Sequence, residues 1–363
     1  MRLTLVISSL AGGGAERLVS LLASAWALQG KKVTLLTFDH NEPPEYPLHA
    51  AVEHQSLCLQ ATSHNLFHGA WQNFRRIRVL RRAIRESEPD IVIGFLDATN
   101  ILTLCATLGL GRPVVVCEFN NPIGHRIKRI WAFLRRVSYR FADALVCETH
   151  PTLTRFLAMI KIKGWVIPPF ISVPPANRNG GNGHSSARVI AAMGRLDRQK
   201  GFDLLLDAFA RIVDRHPDWS LKIIGQGPLR KELEQQTAAL KLAERVHFAG
   251  RVVDPFAVLG SSDLFVFSSR SEGFGLALGE AMACGLPVVS FDCESGPRHI
   301  IRHGLDGILV PPEDVGALAG ELDRLMGDPQ ERARLAARAP EVLRRFSADQ
   351  TLELWQKLFD TLA

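Results

Sequence analysis

Short runs of consecutive Val, Ile and Leu alternate along the chain with longer stretches whose apolar residues recur every three or four positions. Residues 3–8 read as a strand, 17–29 as a helix, 32–37 as a strand, about 71–85 as a basic helix and 91–95 as a strand. The alternation resumes with a strand at 114–117, a basic helix around 127–141, a strand at 144–147, a helix near 152–160 and a strand at 164–167. Continuously apolar strands separated by helices imply a parallel sheet covered on both faces. Residues 174–187, rich in Gly, Asn and Ser and poor in apolar side chains, read as a flexible linker.

The pattern then restarts. Strands are predicted at 188–193, 220–224, 246–249, 264–267 and 287–291, and helices at 203–215, 229–240 and 275–284, before two closing helices. The expected architecture is α/β: two doubly wound, Rossmann-like domains facing across a cleft. The first spans 1–174, the linker 175–187 and the second 188–345, with a last helix over 346–363 packing back towards the first. The length of 363 residues suits two such cores. Ligands of these sheets lie at the carboxyl ends of the strands, so chemistry is sought in the loops that follow them.

Composition changes this picture in three respects. Apolar residues at 47% and charged ones at 22% exclude a disordered or fibrous chain. The charge is one-sided: the first 170 residues hold 20 Lys and Arg against 12 Asp and Glu, and the remainder 23 against 25. A basic first half suits an anionic partner such as a membrane surface, nucleic acid or phosphorylated substrate. The six cysteines at 58, 105, 117, 147, 284 and 293 lack metal-ligand spacing and read as scattered thiols of a reducing compartment. No apolar run approaches the ~20 residues of a membrane span. The opening Met1-Arg2-Leu3-Thr4-Leu5-Val6-Ile7 reads as a buried first strand rather than a signal peptide.

Three strand-end loops carry candidate chemistry. The first is Ala11-Gly12-Gly13-Gly14-Ala15-Glu16-Arg17. Its glycines let the backbone come close to a ligand, and a helix start favours phosphate; the alternative is a tight turn with no ligand. It half-matches a dinucleotide fingerprint, with Arg17 at the third glycine position and Asp39 as the ribose acid. The second, Gly194-Arg195-Leu196-Asp197-Arg198-Gln199-Lys200-Gly201, offers Arg195 and Lys200 to a diphosphate, or is a solvated basic loop. The third runs from Ser268 to Glu280. Glu272 in its loop suits sugar hydroxyls, Glu280 in the next helix suits a ribose diol, and the N–H groups near Phe274, Gly275 and Leu276 suit phosphate. Either glutamate alone would equally serve as a surface residue or helix cap.

Taken together, the glycine-rich first loop, Gly194-Arg195 with Lys200-Gly201, and the Glu-x7-Glu spacing from Glu272 to Glu280 resemble glycosyltransferase family 4, of the GT-B fold, over nearly the entire chain. Phe95-Leu96-Asp97-Ala98-Thr99-Asn100-Ile101-Leu102 and the segment from Phe291 to Ile301 are similar to bacterial enzymes that build surface polysaccharides or glycans on polyprenyl diphosphate. The resemblance implies that Arg195 and Lys200 hold the donor diphosphate, Glu272 the donor sugar and Glu280 the ribose, while Gly13 and Gly14 approach the phosphate from the other domain. It also implies retention of anomeric configuration. Many members place a histidine after the strand that here is Val114-Val115-Val116-Cys117; this chain has Phe119 in that slot, with Glu118 or Asn120 as substitutes and His125 in the following basic segment. Arg17, Asp97, Asn100, Glu118 and Asn120 are the candidates to touch the acceptor or the sugar. No Asp-x-Asp occurs, so neither a metal nor another cofactor is expected beyond the nucleotide sugar, read as a UDP-sugar.

Residues 124–141 mix cations with Ile127, Ile130, Trp131, Leu134 and Phe141 near one side of a helix, and 74–82 add a second basic run. These fit a cytoplasmic protein lying on an anionic inner membrane face, with a lipid-linked or oligosaccharide acceptor, or else a core helix with a solvated basic back. No nucleic-acid module is present, so nucleic acid is not an expected partner. The rival readings are a sugar-nucleotide epimerase on the same fold, a nicotinamide-dependent oxidoreductase using Gly12, Gly14 and Asp39, and a non-catalytic membrane-binding protein.

Overall fold

The computed structural model describes every residue except 41, 61–65, 120, 121, 123–126, 175–187 and 363, so the expected linker lies outside the described residues. The chain forms two compact units, Met1–Pro168 with Leu352–Ala363, and Pro169–Thr351.

The first unit is built on seven parallel strands: β1 (Arg2–Ile7), β2 (Lys32–Thr37), β3 (Val52–Ser56), β4 (Ile91–Phe95), β5 (Val114–Glu118), β6 (Ala144–Cys147) and β7 (Gly164–Val166). Their order is β3-β2-β1-β4-β5-β6-β7. β1, β4, β5 and β6 are almost wholly buried, which is why they read as unbroken apolar runs. The helices Leu66–Glu86, Asp97–Thr107, Arg129–Ser138 and His150–Met159 cover one core, in which Leu80, Ile101, Leu104 and Phe156 meet Val92, Val116 and Leu145. Trp26 of the helix Gly14–Leu28 meets the last helix, Ala348–Asp360. The Trp355 ring stands edge-on to it at 5.2 Å and the Phe359 ring lies at 5.6 Å.

In the second unit, six parallel strands, β8 (Arg188–Met193), β9 (Trp219–Ile224), β10 (Val246–Gly250), β11 (Leu264–Phe267), β12 (Val288–Phe291) and β13 (Ile308–Val310), are ordered β10-β9-β8-β11-β12-β13. Both units are therefore doubly wound, as the alternation of strands and helices predicts.

The boundaries differ from the sequence reading. The first division falls at Pro168, not 174, because Ile171 packs among Leu278 and Met282 and donates its N–H to the carbonyl of Phe346 at 3.0 Å. The last helix divides at Thr351 rather than 346, since Phe346 packs edge-on against Phe274 at 5.0 Å within the second unit. The edge strand β3, with the polar sequence Val-Glu-His-Gln-Ser, carries no apolar run and escaped the pattern.

Candidate functional site

In the second unit the chain leaves β8 towards β9 and β10, then returns to pair β11 on the other side of β8. The strand order reverses between β8 and β11, and in open α/β sheets the crevice at such a reversal, beyond the carboxyl ends of the strands, is where ligands bind. The two loops that meet there are Gly194–Gly201 and Ser268–Gly275, both singled out from the sequence.

The loops are held to one another through their backbones. Ser268 Oγ donates to the carbonyl of Lys200 at 2.9 Å, the Arg270 N–H to the carbonyl of Gln199 at 2.7 Å, and Gln199 Nε2 to the carbonyl of Ser271 at 2.8 Å. The Arg270 guanidinium grips Asp203 through two bonds of 2.8 and 2.7 Å and reaches Glu313 at 2.8 Å; burial pushes the Asp203 carboxyl up, but the bonds and charge of Arg270, with backbone N–H groups, outweigh it and hold the carboxyl below its usual range. Gly201 has φ +63°, and a Cβ there would run into the carbonyl oxygen of Ser268, so only glycine permits this approach. Backbone and side chain thus place Lys200 against Glu272: Lys200 Nζ donates to Glu272 Oε1 at 2.5 Å, with the two side chains 20% and 8% exposed.

Arg195 and Lys200, both offered to a diphosphate, have different partners here. Arg195 Nε donates to Asp197 Oδ2 at 2.6 Å with its side chain 70% exposed. Asp197 also accepts the Lys200 N–H at 3.2 Å, closing the short turn Arg198–Lys200. Asp197 thus caps the turn, a role its place ahead of Arg198-Gln199-Lys200 could have signalled, since an aspartate opening a helical turn is a recognised cap. Gly275, at φ +107°, opens the helix Leu276–Ala283, and its carbonyl accepts the N–H groups of Leu278 and Gly279 at 3.0 and 3.3 Å, so that those of Leu276 and Ala277 are the ones without a partner inside the helix. The Phe274 ring belongs to the core, so only its backbone is at the loop. Glu280, expected at a ribose, is 1% exposed inside that helix.

The first unit has the same reversal between β1 and β4. The loop after β1 carries Gly12 at φ +95° and Gly13 in extended backbone. The Glu16 carboxylate folds over Gly13, where a Cβ would collide with it, so at Gly13 the anion beside the helix start is the chain's own. Gly14 faces open space. Arg17 lies over the Tyr46 ring at 5.6 Å. After β4, Leu96 takes φ +71° and Asp97 Oδ1 accepts the Ala98 N–H at 2.6 Å in the first helical turn.

Two acceptor candidates lie inside the unit. Asn100 is buried, donating through Nδ2 to the carbonyl of Cys117 at 2.9 Å and to Tyr139 Oη at 3.0 Å. Glu118 is buried too; it accepts from Tyr139 Oη and has Arg135 Nη1 at 3.9 Å. Both brace the end of β5 from within. Burial, with Glu118 close by, raises the Tyr139 hydroxyl well above its ordinary pKa, so it remains a proton donor. Phe119 packs on Phe95 with ring centres 5.6 Å apart, and the histidine slot is thus filled by a core ring. Asn120 and His125 lie outside the described residues. Asp39, the acid required by the oxidoreductase reading, is buried and accepts from Thr37 Oγ1 at 3.1 Å.

The basic helix is Arg129–Ser138. It exposes Ile130 and Phe133, 60% and 62%, with Leu134, while Trp131 packs against the core and Arg135 turns inward. The expected outward face is therefore rotated: Phe133 joins it and Trp131 leaves it. Trp71 and Phe74 are likewise exposed on Leu66–Glu86, a helix on the same sheet face. No helix among the described residues is long and apolar enough to cross a membrane.

Comparison with known proteins agrees with this geometry. The family model described as glycosyltransferase family 4 matches residues 12–173, and that described as glycosyl transferases group 1 matches 176–342. The chain is 30% identical to a Campylobacter jejuni protein named GalNAc-alpha-(1->4)-GalNAc-alpha-(1->3)-diNAcBac-PP-undecaprenol alpha-1,4-N-acetyl-D-galactosaminyltransferase, over 99% of this chain and 98% of that one. It is also 30% identical to the Rhizobium meliloti lipopolysaccharide core biosynthesis glycosyltransferase LpsD, over 79% and 82%. Among solved structures it shares its fold with sucrose-phosphate synthase from Thermosynechococcus elongatus, at TM-score 0.84, 21% identity and 99% of both chains. It shares it also with Anabaena HepE solved with UDP and glucose, at TM-score 0.79, 21% identity and 100% and 99% of the two chains. On these matches and on its two doubly wound units, the chain belongs to glycosyltransferase family 4, of the GT-B fold, and is an enzyme that transfers sugar.

Proposed function

We propose that this enzyme takes a hexose or N-acetylhexosamine from a UDP-sugar and adds it, with retention, to a polyprenyl-diphosphate-linked glycan in bacterial polysaccharide or glycan assembly. The observation that carries the reading is the Lys200–Glu272 pair at the strand-order reversal of the second unit. An ammonium suits the departing diphosphate and a carboxylate the hydroxyls of the transferred sugar. The bond from the anomeric carbon to the phosphate oxygen breaks, the acceptor oxygen bonds that carbon, and the acceptor proton passes to the leaving phosphate. Lys200, Arg195 and the leading N–H groups of Leu276 and Ala277 stabilise the charge that gathers on the diphosphate. The lipid-linked acceptor is supported by the name of the Campylobacter relative, and UDP by the complex of the Anabaena structure. With these cations in the loop and no Asp-x-Asp in the chain, the reaction runs without a metal.

The test is incubation with UDP- and GDP-sugars and a membrane extract, followed by mass spectrometry of the lipid fraction, with and without EDTA. The expected result is a polyprenyl-diphosphate glycan gaining hexose or N-acetylhexosamine mass from a UDP-sugar, unchanged by EDTA. Conversion of the nucleotide sugar with no acceptor product would point to the epimerase, and a loss restored by Mg²⁺ would refute metal independence.

The acceptor reading places the first unit on the inner, cytoplasmic membrane face, through Ile130, Phe133, Trp71 and Phe74 with their neighbouring arginines. The protein should sediment with vesicles containing anionic phosphatidylglycerol and not with phosphatidylcholine alone. Phe133→Asp should weaken that binding about tenfold. Equal sedimentation with both vesicles would remove the charge-driven part of this reading.

A further inference from the structure

The loop after β12 lies outside the donor chemistry just described, yet it contacts Glu272 from behind. Ser295 Oγ donates to the backbone carbonyl of Glu272, and Cys293 Sγ donates to the carbonyl of Ser295 at 3.4 Å. Both side chains are buried. Gly296, at φ +90°, brings its backbone so close that a Cβ would strike the Phe274 carbonyl oxygen and lie 3.0 Å from Glu272 Cβ. Burial and then the Glu272 charge push the Cys293 thiol up to about 12, so it stays protonated and keeps its bond to Ser295.

Glu272 is therefore held from two directions. In front, Gln199 fixes the carbonyl of Ser271 and Lys200 meets the carboxylate; behind, Ser295 fixes the carbonyl of Glu272 itself. We propose that Ser295 is a positioning residue for Glu272: its hydroxyl sets the peptide that aims the carboxylate at the donor sugar, and Cys293 holds Ser295 in place. The inference rests on the reading of Glu272 as the group that touches that sugar.

The role separates from a merely structural one because UDP lacks the sugar. A lost brace should weaken a UDP-sugar while leaving UDP alone unaffected, whereas general loosening of the unit weakens both. Calorimetric affinities for UDP and for the UDP-sugar singled out by the turnover panel are measured on the full chain as wild type, Ser295→Ala, Glu272→Ala and the double variant. Ser295→Ala should weaken the UDP-sugar about tenfold, lower kcat about ten- to a hundredfold and leave UDP binding unchanged. On the Glu272→Ala background it should add nothing, since the group it aims is gone. Should Ser295→Ala not fold, near-isosteric Ser295→Cys, with its weak S–H donor, should give a smaller loss of the same kind. Equal weakening of UDP and UDP-sugar, or a full Ser295→Ala effect without Glu272, overturns the proposal. If Glu272→Ala itself spares the sugar-dependent affinity, the reading of Glu272 falls and this inference falls with it.

Discussion

Lys200→Met should lower kcat/KM for sugar transfer by about 10²–10³-fold, the cost of removing one preorganised group from a developing charge. It should also cost stability. Glu272 is largely buried and has the lysine ammonium at 2.5 Å, so taking away the cation leaves a carboxylate in a poorly solvated loop, at about 1–3 kcal/mol. Glu272→Leu should cut activity as deeply. The double variant separates the two effects: replacing both members of a buried pair with apolar groups of similar size is often close to neutral. It should regain most of the stability in urea denaturation and none of the turnover. Recovery of turnover in the double variant would show that the pair serves only the fold.

Trp355→Ala should destabilise the first unit by about 3–5 kcal/mol, the range for losing a large aromatic from a core. Its ring contacts both Trp26 and Phe359, and all three are buried, so the cavity opens in the middle of an aromatic cluster. Trp355→Phe, which keeps most of the contact, should cost less than half as much. The check is thermal and urea unfolding followed by probes specific to each unit. A Trp355→Ala protein within about 1 kcal/mol of wild type would show that the last helix is an appendage rather than part of that core.

How far the sequence disclosed this molecule depends on what each residue is buried against. β1, β4, β8 and β11 were legible because parallel strands covered on both faces must be continuously apolar, whereas β3, at an edge and half in water, carried no such signal. The loops after β8 and β11 were legible only together: each alone reads equally as a solvated loop or a helix cap, and it is their combination with the Glu-x7-Glu spacing that carries the family resemblance. That Lys200 meets Glu272 and that Arg195 turns to Asp197 was not legible. Both are choices among nearby opposite charges, fixed by side-chain direction rather than by spacing. Asn100 and Glu118 misled for the opposite reason: polar residues at strand ends look like ligand contacts until a distant partner inside the unit, here Tyr139, is found to bond them.

The first unit is discontinuous: Met1–Pro168 is completed by Leu352–Ala363, with the whole second unit in between. On a ribosome adding about 5–20 residues per second, the Trp26 face waits on the order of ten seconds or more for Trp355 and Phe359. The second unit, continuous in sequence, has no such delay. The half made first is thus the half with one face that closes last, and Trp26 on that face stays uncovered on the nascent chain until the end of the second unit has been made.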